Sequence, residues 1–258
     1  MPMHGFSFET DSMNGMLERL DDRADEIRAL MEDATAEELW ELWRQLDISG
    51  IYHDCALEGQ VVSPEELKTA FDPRAVTDAA SMPLYTTLRS HREAFELMRH
   101  LSSDRQLEIN LDLFKRFHVL FASNPDDARA GRFRKDIPLH RSYFHEINEA
   151  DKIAPDMRKL IAWMNDPAET GALHPVSLAS RFHYDFMHIF PFLETSGKIG
   201  RVVMNLILVR NGYLPAVIHA TERQRYYEVL RQPPGGLTEV IVDSAMASFE
   251  AAVRFLNR

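Results

Sequence analysis

A single cysteine, Cys55, occurs in 258 residues, so no internal disulfide can form and a disulfide-stapled fold is excluded. Long apolar runs are missing too. The longest candidate, VVMNLILV at 202–209, falls well short of the roughly 18 residues that a membrane helix needs, so no membrane partner is expected. The opening MPMHGFSFETDS has neither a basic n-region nor an apolar h-region, which leads to the expectation of a cytoplasmic protein. Positive charge is scarce: Lys and Arg number 29 against 40 Asp and Glu, a formal net charge of −11. The cations are also scattered, so general binding of nucleic acid is not expected. What remains, 45% hydrophobic residues without repeats or low-complexity linkers, is the composition of a globular chain with a sizeable core.

Helical spacing dominates. Thr35 and Glu38 form a capping box before Leu39, Trp40, Leu42, Trp43 and Leu46, which share one broad face. Ser63-Pro-Glu-Glu supplies a second start signal, with an N-cap, a first-turn proline and a reciprocal glutamate. Further helices are predicted over 84–101, 107–121, 155–165, 175–189, 200–211, 221–230 and 238–256. The stretch 131–147, GRFRKDIPLHRSYFHEI, lacks this spacing and is rich in aromatic residues, which predicts a short β-hairpin. The expected fold class is all-α in the main with one small hairpin flap. Its expected parts are an N-terminal helical region at 1–104, a core at 105–230 and a C-terminal helix at 231–258 packing on that core.

One loop concentrates chemistry. FPFLETSGKIGR, residues 190–201, joins a helix with Val176, Ala179, Phe182, Phe186 and Ile189 on one face to a strongly apolar helix. A helix N-terminus presents unpaired N–H groups that favour anions. Thr195, Ser196, Gly197, Lys198, Gly200 and Arg201 add hydroxyls, close backbone approach and positive charge, the ingredients of a phosphate site. Glu194 fits if a divalent cation bridges it to the ligand, as magnesium does between a carboxylate and phosphate oxygens. On composition alone the loop is better explained as a solvated turn. A Walker A loop is excluded, because Phe192 stands where its first glycine is needed and Ile199 where its Ser or Thr follows the lysine.

The stretch HPVSLASRFHYDFMHIFPFLETSGKIGR resembles the signature region of Fic (Fido) domain proteins, whose loop reads His-x-Phe-x-(Asp/Glu)-Gly-Asn-Gly-Arg-x-x-Arg. AGRFRKDIPL and KIAPDMRKLIAWMND are similar to that family's flap and following helix, and ERQRYYEVL to its downstream Arg-x-x-Tyr-Tyr element, so the likeness runs over about 45–230. The resemblance implies a Fic-like helical fold and transfer of a nucleotide, usually AMP from ATP, to a hydroxyl of a target protein. By register it implies that Glu194 holds a metal, that Gly197 is the second glycine and that Arg201 is the final arginine. Thr195, Ser196 and Lys198 depart from the Gly, Asn and Arg of the pattern.

The largest departure is Phe190 at the position of the catalytic histidine. A phenyl ring accepts no proton, and loss of a general base costs about 10²- to 10⁴-fold in rate. His188 is a weak substitute, since two residues turn a helix by about 200°. His183 and His188 are better explained as satisfied helix histidines, and their spacing of five misses a helical zinc pair. The segment ISGIYHDCALEGQVVSPEEL is similar to the family's inhibitory helix, (Ser/Thr)-x-x-x-Glu-(Gly/Asn), at about 48–60. Glu58 and Gly59 match it while Asp54 replaces the Ser/Thr, which implies an inhibitory Glu58 paired with Arg201, a solvated helix-end glutamate being the alternative.

Two further elements carry implied roles. Leu139, His140, Arg141, Ser142, Tyr143 and Phe144 would form a flap edge on which a target protein docks, and Tyr226 and Tyr227 would line a base pocket. Tyr143, Phe144 and one of the two adjacent tyrosines are equally well explained as packing.

Two functions stay open. One is a degenerate Fic protein that binds a nucleotide, another phosphate-containing ligand or a protein partner without AMP transfer. The other is a transferase with altered chemistry, autoinhibited by Glu58. The implied cofactor is magnesium with ATP or another nucleotide, no redox cofactor is expected, and a homo-oligomer is compatible with the sequence.

Overall fold

A computed structural model describes residues 6–72, 74, 80–122, 131–138 and 145–258. Of these, 73% are helical and none is in a strand. The helices are α1 Phe6–Asp33, α2 Ala36–Leu57, α3 Pro64–Phe71, α4 Met82–Ser102, α5 Leu111–Phe121, α6 Ala150–Met164, α7 Pro167–Thr170, α8 Pro175–Ile189, α9 Ser196–Arg210, α10 Arg223–Val229 and α11 Gly235–Leu256. A 3-10 turn, Ala220–Glu222, precedes α10. The fold class is therefore the all-helical one read from the sequence. The predicted hairpin shows no strand in its described parts, 131–138 and 145–147, and its tip, residues 139–144, lies outside the described residues.

The start signals operate as anticipated. Thr35 and Ser63 each accept from the backbone three residues on, and Glu38 and Glu66 return the bond. Other boundaries differ. The sequence reading has no helix before Thr35, yet α1 buries Leu17, Leu20, Ala24 and Ile27 at helical spacing against α11. Its dense charge masked that stripe. Helix α6 begins five residues before the predicted Pro155, which therefore lies inside the helix without ending it. Helix α9 begins at Ser196 instead of Gly200, because Ile199 N–H reaches the Thr195 carbonyl at 2.9 Å. Its two glycines weakened the sequence signal without preventing the turn.

Helices α8 and α9 form the centre. Residues 197–208 are all buried, which accounts for a segment apolar on every side. Helix α8 packs along α9, and α4 and α5 also pack on α9. Phe114 of α5 stacks on Phe186 at 5.3 Å and on Phe182 at 6.1 Å. One buried cluster runs from Leu17 to Ala252, so the N-terminal helices and α11 share a core with α5–α9.

Phe114 is fully buried in that aromatic stack. Phe114→Ala is expected to lower the free energy of unfolding by about 3–5 kcal/mol, the usual cost of a vacated aromatic core site, as read from urea denaturation midpoints.

Candidate functional site

The site is built on the first turn of α9 and the last turn of α2. Arg201 is buried, with 5% side-chain exposure, and each end of its guanidinium is held. Nε donates to Asp54 Oδ1, Nη2 to Glu58 Oε1 at 2.9 Å, and Nη1 to the Tyr226 hydroxyl at 3.5 Å. Tyr226 in turn contacts His183 Nε2 at 2.8 Å. Asp54 Oδ2 accepts from His91 Nε2 at 2.9 Å. Asp54 and Glu58 are four residues apart, so one face of α2 presents both carboxylates to one arginine.

Electrostatics follows from burial and pairing. Burial alone would raise the Asp54 pKa, but the Arg201 charge and the His91 hydrogen bond bring it down to about 2. Burial would lower that of Arg201, yet Asp54 and Glu58 hold it well above its ordinary value. His91 and His183, both fully enclosed, are pushed down by burial to about 4 and about 3, so they are neutral.

Glu58 owes its position to a helix stop. Gln60 N–H bonds the Cys55 carbonyl at 2.9 Å and Gly59 N–H the Ala56 carbonyl at 3.0 Å, the paired bonds of a Schellman cap, and Gly59 takes φ +82°. The next-to-last carbonyl of that turn, Leu57, accepts from Arg223 Nε at 3.0 Å and from the Tyr227 hydroxyl at 3.3 Å. The Glu58 carboxylate then crosses to the start of α9. It lies so close to Gly197 that a Cβ built there would run into Glu58 Oε1, so a larger residue would push the carboxylate out of this position.

The remaining residues of the sequence-derived site divide. Lys198 is 8% exposed and Thr195 7%, and both lie in the first turn of α9. Lys198 has no ion pair or hydrogen bond among the described residues. Thr195 Oγ1 is buried without a partner, and no side chain caps the helix. Ser196 corrects the expectation of a hydroxyl offered to phosphate. Its Oγ accepts from Phe192 N–H and donates to the Phe192 carbonyl, both at 2.8 Å, because the tight loop must satisfy its own backbone. Gly200 lies against His183 and Phe186, so its role is packing α8 on α9. Glu194 is exposed, with no hydrogen bond or ion pair among the described residues. A lone outward carboxylate one residue before the helix cap suits a cation that takes its other oxygens from ligand and water. No group of three or more His, Cys, Asp or Glu side chains that could hold a metal occurs among the described residues.

Phe190 is fully buried and takes φ 45°, ψ 63°, the only positive φ of a non-glycine residue among those described. For a bulky L-residue this conformation costs about 1–2 kcal/mol. Arg134, which sequence reasoning missed, clamps it. Arg134 Nε donates to the Phe190 carbonyl at 2.7 Å, its backbone N–H to Pro191 at 2.9 Å, and its guanidinium also to Asn148 and Ile189. His145 adds a bond to the Met187 carbonyl at 2.9 Å. An arginine and a histidine inside a supposed hairpin, which would be expected to face solvent, were the available signal. His188 Nδ1 bonds the Tyr184 carbonyl at 2.8 Å on its own helix, as expected of a satisfied helix histidine. Tyr226 and Tyr227 are buried at the α2 junction, and the six flap residues 139–144 lie outside the described residues.

Behind Arg201 is a cavity of about 20 Å³ bordered by Asp54 and Asn205. It has room for one water and for no larger ligand.

The Fic/DOC family model matches residues 100–208, a stretch from the end of α4 into α9. The protein adenylyltransferase Fic of Drosophila persimilis is 26% identical over 215 residues, covering 83% of this chain and 41% of that protein. Its counterpart in Drosophila virilis is 27% identical over 212 residues, covering 82% and 42%. The chain thus spans about two fifths of the length of these curated relatives. Among solved structures, Fic-1 (residues 134–508) from C. elegans superposes with a TM-score of 0.81 at 21% identity, over 95% of this chain and 73% of that one. A Fic domain containing signaling protein from Bacteroides thetaiotaomicron gives 0.74 at 20% identity, over 94% and 95%.

The buried histidines set a pH dependence. His91, His183 and His118, the last pushed down to about 4 by burial, bind protons near pH 6.5 when unfolded but only near 4 or below when folded. The unfolded state therefore binds more protons as pH falls below 6.5, and stability is lost between about pH 6.5 and 4. Asp47, raised to about 6 by burial against the pull of Arg99, runs the other way and offsets part of the loss. Calorimetry at pH 7, 6 and 5 is expected to show Tm falling stepwise; a flat profile contradicts neutral, buried rings.

Proposed function

Since the chain belongs to the Fic/DOC family, whose matched members include protein adenylyltransferases, we propose that it is a degenerate member that binds a nucleotide or other phosphate-containing ligand at the start of α9 and has lost AMP transfer. The observation that carries this reading is a carboxylate, Glu58, seated against Gly197 and paired with Arg201, in a turn whose N–H groups have no side-chain cap. An anionic group at a helix N-terminus beside buried cations is what such a turn attracts, and a ligand phosphate has the same requirements. Lys198 and the free hydroxyl of Thr195 would add the charge and the donor that a phosphate needs. Glu58 then acts as the resident anion that a ligand has to displace, an autoinhibitory contact.

Magnesium would fit at Glu194 and would neutralise ligand phosphate charge when bound. The chain's own residues do the rest. Arg201 and Lys198 orient the phosphate, Gly197 allows the backbone to approach it, and the buried walls of α2 and α10 exclude water. No proton acceptor stands where one is needed, because Phe190 fills that place with carbon. Loss of transfer follows from that vacancy in chemistry rather than from loss of geometry.

Thermal stabilisation by ATP, ADP or AMP with magnesium tests the binding. Glu58→Gly is expected to raise Tm by several degrees at ligand concentrations that barely move the wild type, since a ligand at 100 times its Kd stabilises by about 2.7 kcal/mol. Transfer is tested with labelled nucleotides, magnesium and cell lysate. No labelled protein is expected from the wild type or Glu58→Gly, and label from either overturns the loss of transfer. Phe190→His in the Glu58→Gly background is expected to create labelling, because histidine accepts both the proton and the left-handed backbone more readily than phenylalanine.

A further inference from the structure

Arg201 has two carboxylates of different standing. Glu58 stands at the C-cap of α2, beyond its last helical residue, with 11% side-chain exposure. Asp54 lies one turn inside the helix with 7% side-chain exposure, and both of its oxygens are used, Oδ1 by Arg201 and Oδ2 by His91. His91 is fully buried and wedged edge-on between Phe95 at 5.1 Å and Phe121 at 4.9 Å. Asp54 is thus the more firmly held of the two, fixed inside the helix by two partners.

Resting on the phosphate-site reading above, we infer that Asp54 is a specificity-determining residue. As a permanent counter-ion of Arg201 it holds the cradle to one net positive charge after Glu58 withdraws, and so it selects a ligand presenting a single phosphate over a polyphosphate. The charge count is direct. Arg201 and Lys198 are the two cations of the cradle, and Asp54 cancels one of them. The Nε of Arg201 stays occupied, which leaves Nη2, vacated by Glu58, as the donor turned to the ligand. Each further phosphate brings more negative charge toward a buried carboxylate in a poorly screened setting, where like charges repel strongly. A serine or threonine hydroxyl at position 54, the residue type of the resembling inhibitory helices, would impose no such limit.

The test measures Kd for AMP, ADP and ATP in EDTA, so that the protein's own charges decide, with Glu58→Gly and with Asp54→Asn/Glu58→Gly. Asparagine keeps the shape and an acceptor for Nε while removing the charge; Asp54→Ser replaces it if that variant does not fold. With Glu58→Gly, affinity is expected to stay flat or fall from AMP to ATP. Adding Asp54→Asn is expected to tighten ATP at least tenfold and AMP by less. An equal gain for all three ligands, no gain, or a loss overturns the inference. The Arg201 Nε–H signal in nitrogen-labelled protein reports on the pairing without any ligand. Its persistence in Glu58→Gly together with its weakening by Asp54→Asn supports the counter-ion, and its loss in Glu58→Gly alone overturns it. Absence of binding by every variant overturns both the phosphate-ligand reading and the selection drawn from it, and the signal then decides the counter-ion separately.

Discussion

A guanidinium taken out of water has to be neutralised and its donors met, and in this protein α2 does both for Arg201. Asp54 and Glu58 bind it from successive turns of one helix face, Tyr226 meets a third donor, and His91 anchors Asp54 from α4. Breaking either carboxylate contact would leave an enclosed charge less compensated, so α2, α4, α9 and α10 are fixed relative to one another. The Schellman stop at Gly59 and the capping of the Leu57 carbonyl by Arg223 and Tyr227 follow from the same junction. They hold the end of α2 where its last carboxylate reaches the start of α9.

The loop from Phe190 to Thr195 depends on a second clamp. Helix α8 ends in a left-handed residue, and the carbonyls freed by that stop are met by Arg134 and His145 from the segment between α5 and α6. The position where the family pattern places histidine therefore keeps an unusual backbone and a buried environment with an inert ring in place.

Comparison of the cradle residues shows how divided a short motif becomes once folded. Gly197 serves close approach, Gly200 serves helix packing, and Ser196 serves its own loop. Lys198 and Thr195 are buried without a side-chain partner among the described residues, and Glu194 is exposed. Residues equivalent in composition thus have separate duties, set by which neighbour each one meets.

Local rules decided most of the helices. Caps at Thr35 and Ser63, the apolar face of α8 and the all-round apolar run of α9 depend on neighbours within a few residues, and these were legible in the chain. The stripe of α1 was legible too, at Leu17, Leu20, Ala24 and Ile27, but its dense charge concealed it. Phe190 in place of the histidine of the resembling pattern and a Glu58 able to meet Arg201 could also be read, because register and charge are properties of sequence. That Asp54 takes the other side of Arg201, that Arg134 braces the backbone of Phe190, and that Ser196 turns inward were decided only by tertiary structure. Each depends on contacts between residues distant in the chain or on hydrogen bonds that a buried backbone demands, and no local pattern encodes which partner will be within reach.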